Sequence, residues 1–264
     1  MTPSRSFRIV RAMLLLVFAA YFFVPLLAMF DFSTQVRGSA PGRTWDNWTF
    51  MFRDEDLRSS IVASLLLALF TVVLMVALLV PTMVWVRLRV PRAKKLIEFL
   101  CLLPLTIPAL VIVVGIGNVY SWVTYLLGDS ALVLTFAYVV LVLPYSFRAI
   151  DASLSAIDAT TLSEAARSLG AGWFTVVVRV IMPNISGGIL GAAFISVALV
   201  LGEYVFASLL RFDTLPVAMA ALYKSNGPAA MAAALASMLL VSALLVGLTF
   251  LSRDRHRRNP GASS

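Results

Sequence analysis

One carboxylate inside a long apolar run, and one short polar segment between two such runs, hold most of the chemistry this sequence can offer. Glu203 interrupts the stretch from Gly191 to Leu210. A charge near the centre of a bilayer costs roughly 2.5 to 3.5 kcal/mol on insertion scales, so such a carboxylate faces an aqueous cavity, a partner or a bound cation rather than lipid. Two readings are open: Glu203 and its neighbour Tyr204 line the outer half of a translocation path and favour a cationic solute, or Glu203 sits close enough to the interface to be hydrated. Catalysis has little to work with. His256 stands alone in a basic tail, Cys101 has no companion and no carboxylate cluster exists, so neither a metal-ligand set nor a nucleophile with its base is expected. No Gly-Lys pair occurs, and hence no P-loop to cradle the phosphates of a nucleotide.

The polar segment covers residues 149 to 184, and its pattern is not that of a linker. Thr161 with Glu164 three residues on fits a capping box. Ala165, Ala166 and Leu169 then supply helix propensity and a small apolar surface, and Gly170 offers the positive-φ position that ends a helix. A second short helix is expected through Trp173 and Val178, stopped by Pro183. A rigid knob joined by a fixed turn to the next helix suits docking into a soluble subunit. A helix lying on the membrane surface is the other reading of the same residues.

These residues must be positioned by spans. Apolar residues make up 61% of the chain and charged residues 13%, with a mean hydropathy of +0.94, against roughly 45 to 50% apolar in a soluble domain. The apolar runs are too long and too poorly alternating for barrel strands, which makes the fold all-α. Charge-free intervals at 12–30, 59–86, 99–128, 130–147, 180–202 and 225–252 give six spans, the third including an outer loop near Ser121 to Ser130 and the fifth continuing through Glu203 to about Leu210. The first is read as a retained span and not a cleaved signal, since it is long for such a segment and lacks a small-residue cleavage site. The organisation is then a short N-terminus over 1–11, a six-helix membrane domain over 12–252 and a basic, disordered tail over 253–264.

Fifteen of the 21 Lys and Arg residues fall on the side that would carry both termini, which places those termini in the cytoplasm. The net charge of +8 is thereby explained by contact with anionic membrane lipid, through Arg87, Arg89, Arg92, Lys94, Lys95 and the tail arginines. Nucleic-acid binding is set aside, because no soluble domain exists to carry it.

Departures from plain spans are few. Trp45, Trp48 and Phe52 suit one face of a short helix at the membrane surface, or a contact for an extracytoplasmic partner. Pro104 and Pro108, followed by Gly115 and Gly117, predict unwinding or a kink of the kind that lines a water-filled path. Gly187 and Gly191 have the spacing that lets another helix approach closely. Cys101 reads as a small buried apolar residue.

The array Glu164-Ala165-Ala166, then Gly170 after three intervening residues, then Val180, Met182 and Pro183 after nine more, resembles the EAA loop of bacterial ABC importer permeases. Val180 and Met182 replace the usual Ile and Leu. The resemblance extends over nearly the whole chain, and it implies the type I ABC importer permease fold in a bacterial inner membrane. It further implies that Glu164, Ala165, Ala166, Leu169 and Gly170, with Pro183 behind them, dock into a cytoplasmic ATP-binding subunit. The chain then binds no cofactor and is not an enzyme, while ATP and Mg are used by two ATPase subunits in trans. A homologous permease and an extracytoplasmic substrate-binding protein complete the implied complex, and the path is expected to include Glu203, Tyr204, Pro104 and Pro108. Around Leu201-Gly202-Glu203-Tyr204 the chain is similar to the spermidine/putrescine subgroup. Iron(III), thiamine, phosphonate and sulfate or molybdate importers share the scaffold, and a secondary transporter or channel needing no ATPase is the alternative from another class.

Overall fold

The computed structural model describes residues 5–36 and 42–257. Among them the chain is helical, with one isolated antiparallel bridge between Gln35 and Arg43 and no β-strand. The helices are α1 (Arg5–Ser33), α2 (Asp46–Arg53), α3 (Glu55–Arg89), α4 (Lys94–Leu102), α5 (Ala109–Leu127), α6 (Thr135–Ser155), α7 (Ala159–Ser168), α8 (Trp173–Thr175), α9 (Met182–Asn184), α10 (Ser186–Gly202), α11 (Val205–Leu210), α12 (Leu215–Ser225) and α13 (Gly227–Arg257). Five helices are long and apolar enough to cross a membrane, and six do so if the pair Trp173–Asn184 and Ser186–Gly202, bent by 79°, is one span.

Boundaries differ from the charge-free intervals where local chemistry intervenes. Val90 leaves the helical region before Pro91, at φ −137° and ψ 62°, and ends α3. The third interval is not one helix: α4 gives way to a 3-10 turn over Leu103–Thr106, Ile107 is extended before Pro108, and α5 starts afresh at Ala109. Gly115 and Gly117 do not break α5, which runs on to Leu127 and stops at Gly128 with φ +89°. The expected loop near Ser121 therefore shrinks to the few residues after Leu127. α6 passes through Arg148 and Asp151, because Arg148 pairs with Glu98 at 3.1 Å and Lys94 with Asp151 at 3.4 Å. α13 extends to Arg257, into the segment expected to be a disordered tail, and the rest of that tail lies outside the described residues.

The chain divides into two compact units, Met1–Arg58 with Ala218–Leu240 and Ser59–Val217 with Val241–Ser264. In the first, α2 clamps the end of α1: Asn47 Nδ2 donates to the carbonyls of Ser33 and Gln35 at 2.8 and 2.9 Å, and Trp48 Nε1 to Ser33 Oγ at 3.1 Å. Phe30, Trp45 and Trp48 pack ring to ring, and Phe52 is exposed.

The second unit holds the core, in which Leu67, Met75, Val80 and Val84 of α3 join Tyr138, Val142, Ile150 and Leu154 of α6, Ile181, Ala192, Val200 and Phe206. α10 packs closely on α6. Ser146 and Ser196 share a hydrogen bond of 3.2 Å between their hydroxyls, and Ser196 also donates to the carbonyl of Ala192. The close approach is made by Gly188, where a methyl group would strike Ser153 and lie 2.7 Å from the carbonyl oxygen of Ala149. Gly187 faces open space and Gly191 makes only an ordinary contact, so the expected pair is replaced by the residue between them. Cys101 is buried and free.

Candidate functional site

α7 and its flanking turns are built from local capping. Asp158, not Thr161, is the N-cap: its carboxylate accepts the Thr161 N–H at 3.2 Å and the Thr161 hydroxyl at 2.7 Å. Aspartate accepts both bonds on two oxygens, which turns Thr161 from a cap into a donor and leaves Glu164 outside any capping box. These bonds, the hydroxyl's first, hold the Asp158 carboxyl below the usual carboxylate range. At the other end Gly170 N–H bonds the Arg167 carbonyl at 2.9 Å and Ala171 N–H the Ala166 carbonyl at 3.0 Å. This is a Schellman closure, and it requires the φ of +85° that Gly170 adopts.

The two faces of α7 differ. Ala159 and Ser163 are buried, with Leu162 and Ala166 partly so, while Glu164, Ala165, Arg167, Leu169 and Gly170 are exposed. Leu169 is 88% and Phe174 77% accessible, although both are large apolar side chains on a polar segment. Of the six residues expected to couple, four therefore sit on an open surface, Ala166 anchors the helix, and Pro183 lies apart in the first turn of α9.

α7 packs on a π-helical run over Val176–Ile181, in which Val176, Val177 and Ile181 are buried. Such runs widen the helix by one residue per turn and are frequent at functional sites. The helix does not stop at Pro183 itself but runs one residue past it, to Asn184. The chain turns at Ile185 instead, where the 79° bend leads into α10. The exposed knob is thus joined to α6 through the Asp158 turn and to α10 through the π-helical run.

Glu203 ends α10 and starts α11. Its Oε1 accepts the Val205 N–H at 2.8 Å, its Oε2 accepts the Phe206 N–H at 3.0 Å, and Oε2 also accepts the Tyr138 hydroxyl at 3.0 Å. The span expected to continue through Glu203 is therefore broken there, because the carboxylate offers the free N–H groups of α11 a better partner than the next helical turn. Tyr138 is fully buried and Phe206 meets its ring edge-on. Tyr204 is about half exposed, and Arg211 closes α11 in the left-handed region at φ 63°.

α11 packs on α5, the helix that Pro108 initiates, so the break at Pro108 and the break at Glu203 belong to neighbouring elements. A cavity of about 600 Å³ opens beside the 3-10 turn that contains Pro104, lined by Leu102, Leu105, Thr106, Pro144, Tyr145 and Arg148 among others. Glu203 and Tyr204 do not line it. Sequence reasoning missed Tyr138 and Asp158. The tyrosine lay in an apolar run with no local signal, but Asp158 directly before an alanine and two threonines is a readable N-cap.

The profile of the family described as "Binding-protein-dependent transport system inner membrane component" matches residues 81–258. The spermidine/putrescine transport system permease protein PotC of Haemophilus influenzae is 26% identical over 262 residues, spanning 97% of this chain and 99% of its own length. Two solved structures share the fold. One is a bacterial ABC transporter involved in the import of the acidic polysaccharide alginate, with TM-score 0.67, 18% identity and 96% and 99% of the two chains covered. The other is the bacterial alginate ABC transporter in complex with an alginate pentasaccharide-bound periplasmic protein, with TM-score 0.64, 16% identity and 96% and 95% covered.

Proposed function

Since this chain belongs to the family of binding-protein-dependent transport system inner membrane components, and is thus a multi-pass permease subunit of an ABC importer, we propose that its α7 knob docks a separate ATPase and that its solute is a polyamine. The observation that carries the docking reading is the exposure of both Leu169 and Phe174, apolar side chains on a segment otherwise capped and closed by polar bonds. Large apolar groups left in water on a rigid surface mark a protein contact. A resident ATPase would supply the nucleotide chemistry, with ATP and Mg, that this chain has no P-loop to perform.

Motion would enter at α7 and leave by two routes, into α6 and, through the π-helical run, into α10. Both end at Glu203, since α10 stops there and α6 holds it through Tyr138. Alternating access then consists of moving the α10–α11 break relative to α5. A homologous permease forms the other half of the path, an extracytoplasmic binding protein delivers the solute, and both termini of this chain lie in the cytoplasm.

The polyamine reading is supported by the end-to-end similarity to PotC and by a carboxylate in a broken span, whose negative charge favours a cation. Its test is uptake of radiolabelled spermidine by proteoliposomes holding the assembled complex, with its binding protein outside and ATP inside. ATP-dependent accumulation supports the assignment; accumulation of thiamine or iron(III) but not spermidine overturns it while leaving the docking reading intact.

A further inference from the structure

α3, α4 and α6 enclose a groove of about 360 Å³ whose wall includes Leu74, Leu78, Leu100, Phe136, Val140 and Leu143. Thr82 is the polar residue of the lining, and its hydroxyl is spent on the Leu78 carbonyl at 2.6 Å, so the groove presents an apolar wall. Leu78, Leu100 and Phe136 are each about half exposed along it. Ile97 also lines a smaller neighbouring cavity, which is walled by Arg87, Lys94 and Asp151. The apolar groove therefore leads along α3 and α4 into the basic run between those helices.

The charges at that end do not balance. Lys94 is paired with Asp151, and Arg87 donates to Ser155 Oγ at 3.1 Å. Glu98 is occupied by Arg148 and Asp158 by Thr161. Arg89, Arg92 and Lys95 are exposed and form no ion pair among the described residues. Half-exposed Trp85 lies one turn before Arg89, and an indole beside cations at a span end anchors a helix in the headgroup layer. An apolar slot continued by a cavity walled by Arg87 and Lys94, with uncompensated cations on the adjoining residues of the same run and a tryptophan one turn before them, has the polarity of a single amphiphile with a negative head.

We propose that the groove between α3, α4 and α6 binds an anionic phospholipid, with an acyl chain against Leu78, Leu100 and Val140 and its phosphate head at the Arg89–Lys95 cluster. A protein helix is the poorer occupant, because its apolar face would leave the three cations without a counter-charge. The bound lipid would brace α4 against α3 and α6, the helices that carry the turn at Pro104 and the hold on Glu203.

The test is native mass spectrometry of the full chain, purified in mild detergent and equilibrated with phosphatidylglycerol or phosphatidylcholine of equal chain length. Phosphatidylglycerol is expected to be retained severalfold more than phosphatidylcholine. Each of Arg92→Gln and Lys95→Gln is expected to weaken its retention about fivefold, from the roughly 1 kcal/mol that a cation near an anionic headgroup contributes. Leu78→Trp and Leu100→Trp fill the groove from half-exposed positions, and either should reduce retention as well. Dihexanoyl phosphatidylglycerol, which keeps the head and shortens the chains, should bind more weakly than the long-chain lipid. Equal retention of the two lipid classes, indifference to both tryptophan variants, or undiminished binding of the short-chain lipid overturns the proposal. So does a photo-crosslink from Leu100→p-benzoylphenylalanine, in membranes, that captures a protein and no lipid.

Discussion

The hydroxyl of Tyr138 on α6 donates to Glu203 Oε2 at 3.0 Å, while the same carboxylate caps α11 through Val205 and Phe206. One side chain thereby ties α6 and α10 to the start of α11. Glu203→Ala leaves the two N–H groups and the hydroxyl without their acceptor, and a loss of about 1 to 3 kcal/mol is expected. Glu203→Gln keeps an acceptor oxygen and removes the charge, so it should lose less stability than alanine yet reduce spermidine uptake. Thermal melts of the detergent-purified chain and uptake assays read the two effects separately. Uptake by the Gln variant at the full rate would remove the charge from the pathway.

Gly170→Val forces a β-branched residue to φ +85°, at a cost of about 1 to 2 kcal/mol, and should distort the Schellman turn. Gly170→Asn tolerates the left-handed region and should keep it. In reconstituted complexes the Val variant is expected to show ATP hydrolysis with little transport and the Asn variant near-normal coupling. The ratio of ATP hydrolysed to solute accumulated is the readout.

Gly188→Ala places a methyl group against Ser153 and the Ala149 carbonyl, so α6 and α10 must separate. Overpacking of this kind costs about 1 to 3 kcal/mol. Gly187→Ala meets nothing within 4 Å and should be neutral or slightly stabilising. A lower melting temperature for the first and an unchanged one for the second is the expected pair.

Asp158 has its carboxyl held below the usual range by Thr161, so its contribution to α7 is fully present above the ordinary aspartate pKa of about 3.9. That contribution is lost as pH falls through the lowered folded value. Amide protection in α7, corrected for intrinsic exchange, should therefore be flat from neutral pH down to about 3.9, decline as pH falls further toward the lowered folded value, and have lost this contribution below it. Asp158→Asn should show no such decline.

The polar loop was legible because its spacing is local: a helix followed by a glycine four residues after Ala166 is written in consecutive residues, and Gly170 has the backbone that spacing demands. Partners from distant helices left no such trace. Tyr138 reads as one more large residue in an apolar run, and only folding brings it to Glu203, 65 positions away. Gly188 hid between two glycines with a familiar spacing, since the choice among adjacent glycines depends on which faces the neighbouring carbonyl. Charge marked the end of α6 too early, because Arg148 and Asp151 have counter-charges on α4 that sequence proximity does not reveal.

The claim on which the rest depends is that the exposed face of α7 meets a separate ATP-binding subunit. Cys101 is buried, which lets a maleimide benzophenone placed on Leu169→Cys label one site in an otherwise native chain. Irradiation of the labelled protein in native membranes is predicted to give a crosslinked product containing an ATP-binding subunit, and Leu169→Cys combined with Gly170→Val should yield less of it. A label that reacts with lipid alone, with the ATP-binding subunit present, contradicts the account.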